Sequence, residues 1–104
     1  MPTALELFTA VPRLHNCAQS VAAAKGGSEE LIAQLATQNA GRAPEGLCGA
    51  LYAALQFVPE DKRQGVIDAF AVELGETRCL ALKKLGVPCT KCVETAERLA
   101  ACCN

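Results

Sequence analysis

Tryptophan is absent, methionine occurs once and aromatic residues make up 4% of this 104-residue chain. No large aromatic cluster can organise the core, and the single thioether speaks against a methionine-rich copper site. The chain also lacks a block of like charge: ten basic and eleven acidic side chains leave a net charge of −1. Phosphate binding needs a basic stripe, so nucleic acid is not an expected partner, and Lys83 with Lys84 reads as a solvated helix face. No apolar run approaches the ~20 residues that a membrane helix requires, so no membrane insertion is expected. The opening MPTALELFTAVPR has neither a basic leader nor a long apolar run, which is unlike a secretory signal and points to the cytoplasm. Sustained apolar-polar alternation is missing and β-branched residues are sparse, which removes strands. His15 is the single histidine, and no Ser-His-Asp set, phosphate loop or paired-carboxylate site can be assembled.

Half of the residues are hydrophobic, at 51%, with alanine supplying a large share. That composition favours close contact between helices. The length suits one domain over residues 1–104, and at this size only about two thirds of the unfolded surface is buried, so a cofactor or partner subunit adds usefully to stability. The expected architecture is all-α, a compact multi-helix bundle of about five to seven helices. Alanine-rich faces also suit packing between subunits, making a homodimer an expectation.

Proline, glycine and capping residues mark the helices. A short first helix starts after Thr3 and ends before Pro12, and a second runs over 12–25 with Gly26 and Gly27 as its stop. Leu14, Cys17 and Val21 share its apolar face, which places Cys17 inside that helix. Ser28 caps a third helix to Gln38, with Glu29 and Glu30 against its dipole. Residues 39–46 form a loop. A fourth helix spans 48–57, and a fifth opens at Pro59 and ends near Gly75 with Val66, Ile67, Phe70 and Leu74 as its stripe. Thr77 begins a sixth that Gly86 closes, and Pro88 precedes the last.

Against this plain background stand seven cysteines: Cys17, Cys48, Cys79, Cys89, Cys92, Cys102 and Cys103. In a reducing compartment an odd count of this size points to metal ligation, redox cycling or buried thiols rather than structural disulfides. Cys48, Cys79 and Cys89 fall in the first turns of predicted helices, where free amides and the dipole stabilise a thiolate. A single cysteine in a helical core is commonly a small hydrophobe, but three such starts facing one another would gather reactive sulfur. Gly46 and Gly49 beside Cys48 permit close backbone approach. Cys89-Thr90-Lys91-Cys92 has the two-residue spacing of redox and zinc sites, yet it lacks both the βαβ context of thioredoxin and the second spaced pair of a zinc ribbon. Cys102 and Cys103 are auxiliary thiols, either a mobile reductant or a frayed tail.

The segments His15-Asn16-Cys17-Ala18-Gln19-Ser20-Val21, Gly41-Arg42 and Gly46-Leu47-Cys48-Gly49-Ala50-Leu51 resemble, in order and spacing, the redox-active protein family named for the pattern C_GCAxxG_C_C. Phe70, Gly75, Cys79 and Leu82 look like its third cysteine segment, and Cys89 to Val93 with Ala96 like its fourth. The resemblance covers residues 15 to about 100 and implies Cys17, Cys48, Cys79 and Cys89 as the family cysteines, with Cys92 able to substitute for one. Ala53 stands where the family has glycine, and the stretch from Cys79 to Cys89 is shorter than is typical. Some relatives are associated with iron-sulfur or haem-bearing electron carriers.

The leading expectation is a redox protein, working in electron transfer or sensing with an as yet unidentified redox partner protein, whose Cys17, Cys48, Cys79 and Cys89 hold an iron-sulfur cluster. The alternatives are a metal-free thiol-disulfide carrier using Cys89 and Cys92 as its redox pair, and a soft-metal protein holding zinc or copper.

Overall fold

The structure is a computed structural model that describes residues 3–9, 15–37 and 46–102, the last without the side chain of Cys102. Among these residues the chain is built from helices: α1 Ala4–Thr9, α2 Cys17–Ala24, α3 Glu29–Gln34 with a 3-10 turn Leu35–Thr37, α4 Gly49–Leu55, α5 Glu60–Leu74, α6 Cys79–Lys84 and α7 Cys89–Cys102. The all-α expectation holds. The expected loop at 39–46, apart from Gly46, and the proposed helix start near Pro12 lie outside the described residues.

Local chemistry accounts for most of the boundaries. Ser28 accepts a hydrogen bond from the Leu31 amide at 3.1 Å and caps α3, with Glu29 and Glu30 in the first turn. Gly75 ends α5 in the left-handed region at φ 91°, a conformation that costs other residues a steric clash. The second helix departs from the reading of the sequence. Asn16 accepts from the Gln19 amide at 2.7 Å while Gln19 returns a side-chain acceptor to the Asn16 amide at 3.1 Å. This reciprocal capping box starts α2 at Cys17, so Cys17 opens the helix instead of lying within it.

Three helices, α2, α4 and α7, pack on one another at the centre. Their contact is made by small side chains: Ala18, Ala22, Ala50, Ala53, Ala54, Ala96 and Ala100 are buried beside Val21, Leu51 and Val93. Alanine at these positions lets helix axes approach closely, which compensates for the scarcity of aromatic volume. Ala53 belongs to this core, fully buried, so its methyl group fills helix contact. Phe70 of α5 supplies the largest fully buried side chain, and α5 lies against α7. The Ala4 amide donates to both carboxylate oxygens of Glu97, at 3.2 and 3.1 Å, tying the start of α1 to α7. The described residues have a radius of gyration of 12.1 Å.

Candidate functional site: a pocket lined by cysteines

Five cysteines line one cavity of about 170 Å³: Cys17, Cys48, Cys79, Cys89 and Cys92. They come from four separate chain segments. Cys17, Cys79 and Cys89 are the first residues of α2, α6 and α7, Cys48 is the cap residue before α4, and Cys92 lies one turn into α7. Leu82, Val87 and Phe8 give the apolar walls, Asn16 and Gly49 also line the cavity, and among the described residues Lys83 is the cation in the lining.

The convergence has an identifiable backbone cause. Leu47 and Arg78 form an isolated antiparallel bridge, and the Cys48 amide donates to the Thr77 carbonyl at 2.8 Å. These bonds hold the segments entering α4 and α6 side by side, bringing Cys48 and Cys79 to the same cavity. Gly46, just before the bridge, has φ 73°. A Cβ there would meet nothing within 4 Å, so its glycine serves the turn and not the close approach expected of it. Packing of α2 and α4 on α7 supplies the remaining thiols. The capping box fixes Cys17 from the other side, because the Asn16 amide group also donates to the carbonyls of Leu35 and Ala36 at 3.1 and 3.0 Å.

All five cysteines have free sulfur, but their environments differ. Cys48, Cys79 and Cys92 are buried, Cys17 is half-buried, and Cys89 is exposed at the mouth. Burial pushes the Cys17 thiol up to about 12 from an ordinary 9.0, helped by the charge of Cys48 and Cys89 thiolates and opposed by the Ala18 amide. The Cys48 thiol donates towards Cys92 and is held well above the usual thiol range, first by that hydrogen bond and then by burial. Amides of Leu51 and Ala50 oppose the rise. Accepting from Cys48 in turn lowers the Cys92 thiol despite its desolvation. The expectation of a stabilised thiolate at Cys48 is therefore reversed: its burial and its donation to a second sulfur outweigh the helix-start amides.

Four cysteines singled out from their order along the chain, Cys17, Cys48, Cys79 and Cys89, thus meet at one site, together with Cys92. Cys92 is nearer in function to Cys48 than its spacing to Cys89 suggests. No local signal could show that, because the contact is between helices. Cys103 and the side chain of Cys102 lie outside the described residues. His15 precedes the capping box and does not line the cavity, and its Nδ1 is buried without a hydrogen-bond partner. Among the described residues no three or more His, Cys, Asp or Glu side chains converge on a position where they could hold a metal ion, and no helix is long and apolar enough to cross a membrane. Comparison of the chain with protein-family models, curated proteins and solved structures gives no match to any of them.

Proposed function

We propose that this chain is a redox protein of the C_GCAxxG_C_C type whose working groups are the pocket sulfurs, with Cys17, Cys48, Cys79 and Cys89 as ligands of an iron-sulfur cluster and Cys92 able to substitute for one of them. The observation that carries this reading is the delivery of these five cysteines, from four chain segments, to one cavity. Cysteines acting only as small core hydrophobes have no reason to share a wall.

The donor set fits the group in number and softness, since clusters of two or four irons take four thiolates. When bound, the cluster supplies one-electron transfer. Around it the chain acts through its own groups. The Ala18 amide faces Cys17, and the Ala50 and Leu51 amides face Cys48. Donors to ligand sulfur stabilise negative charge there and raise a reduction potential. Leu82, Val87 and Phe8 give the cavity an apolar lining. Lys83 places a positive charge at the site.

Reconstitution under anaerobic conditions with iron and sulfide tests the assignment. Wild type should develop visible absorbance, and Cys17→Ser, Cys48→Ser and Cys79→Ser should each lose most of it while keeping their helical circular dichroism. Retention of the full spectrum by all three would sink the ligand set.

The contact between Cys48 and Cys92 favours a second reading, thiol-disulfide exchange in the metal-free protein. Reversible two-electron oxidation in a glutathione buffer is its expected signature.

A further inference from the structure

The spacing of Cys89 and Cys92 marks them as a redox pair, but the pocket joins Cys92 to a different sulfur. Residues three apart in a helix have Cβ atoms about 5–6 Å apart, whereas a disulfide needs roughly 3.5–4.5 Å. A Cys89–Cys92 bond must therefore draw the two Cβ atoms together at the start of α7. Cys48, the cap residue of α4, donates towards Cys92 of α7; the two helices pack on one another, and both cysteines are buried and line the same cavity. Cys89 is the one pocket cysteine that is exposed.

Resting on the reading of this pocket as a redox centre, we infer that Cys89, Cys92 and Cys48 form a sulfur relay in the metal-free protein, with Cys89 accepting oxidation at the surface and Cys48–Cys92 as the stored disulfide. The oxidant is a low-molecular-weight disulfide. The Cys89 thiolate attacks it, forming a mixed disulfide and releasing one thiol. Cys92 then attacks the Cys89 sulfur, releasing the second thiol and giving a transient Cys89–Cys92 bond. Cys48 attacks Cys92, giving up its proton in the step, and returns Cys89 to its reduced state. The net change is one external disulfide reduced to two thiols and two protein thiols joined, with the two protons of Cys48 and Cys92 passing to the released thiolates. Burial of Cys48 and Cys92 then shields the product from the solvent, whereas a bond to the exposed Cys89 stays open to exchange. A sulfur held in this bond cannot ligate iron, so the stored disulfide and a cluster on Cys48 exclude one another.

The test uses the full chain, metal-free and reduced, oxidised with glutathione disulfide, quenched in acid, alkylated and mapped by peptide mass spectrometry. Cys48–Cys92 should dominate the wild-type product. Cys48→Ser should stop at Cys89–Cys92 or at the Cys89 mixed disulfide, and Cys92→Ser at the Cys89 mixed disulfide alone. Cys89→Ser should reach the same Cys48–Cys92 product at least about tenfold more slowly, because both remaining thiols are shielded from the oxidant. A wild-type product linking Cys89 to Cys92, wild-type oxidation rates in Cys89→Ser, or loss of the product in Cys102→Ser/Cys103→Ser would overturn the relay. Failure of the cluster reading is seen in iron content and not in this map, so the two can fall separately.

Discussion

Asn16 joins the cysteine pocket to the helix that carries Cys17, and replacing it should show how much of the site depends on that join. In Asn16→Ala the Gln19 amide loses its 2.7 Å acceptor, and the carbonyls of Leu35 and Ala36 lose donors at 3.1 and 3.0 Å. Loss of a cap costs about 1 kcal/mol, and each neutral hydrogen bond contributes about 1 kcal/mol, less where water can replace it. Ala36 is exposed and water can serve its carbonyl, while Leu35 is buried. The expected loss is therefore about 2–3 kcal/mol. Urea denaturation followed by circular dichroism should show a lower midpoint with an unchanged slope. Asn16→Asp separates the two contributions: it keeps the capping oxygen but removes both N–H donors and turns a carboxylate towards two carbonyls. It should lose about 1–2 kcal/mol. A change of less than about 0.5 kcal/mol in Asn16→Ala, the range of ordinary surface substitutions, would mean that Asn16 does not hold the start of α2.

Two further outcomes follow from the site and its cover. The Cys17 thiol is raised to about 12 when folded, against 9.0 otherwise, so the folded chain keeps a proton that the unfolded chain releases. Its contribution to stability is complete below pH 9 and declines by about 1.4 kcal/mol per pH unit as pH rises towards 12. Denaturation midpoints compared between wild type and Cys17→Ala at pH 8 and 10 should show the steeper alkaline decline in wild type; parallel profiles would contradict it. Glu97→Ala removes the acceptor of the Ala4 amide, at a cost of about 1.5–3 kcal/mol for a charged partner. Because Phe8 of α1 lines the pocket, this variant should also alkylate Cys17 faster, and an unchanged rate would show that α1 does not cover the site.

Much of the fold was legible because its signals are local. Ser28 followed by two glutamates, Gly75 after an apolar stripe and Pro88 before the last helix each act within one turn, and each marks a boundary in the structure. The start of α2 was misread because Pro12 is the stronger punctuation, while Asn16 and Gln19 carry the capping box in less conspicuous side chains. Positions of cysteines at helix starts could be read along the chain. Their meeting in one cavity could not, since it depends on the bridge between Leu47 and Arg78 and on α2 and α4 packing against α7. The acidity of Cys48 was misjudged for the same reason. Its own amides favour the thiolate, and a sulfur 44 positions away in the chain, on Cys92, decides otherwise.

The central claim is that the pocket sulfurs do redox work as ligands of a cluster. Iron and acid-labile sulfide, measured together with the visible spectrum on protein purified without oxygen, test it most directly. Iron and sulfide should be present in matching amounts, with absorbance that bleaches on reduction. Protein that stays free of iron, sulfide and colour after anaerobic reconstitution would contradict it.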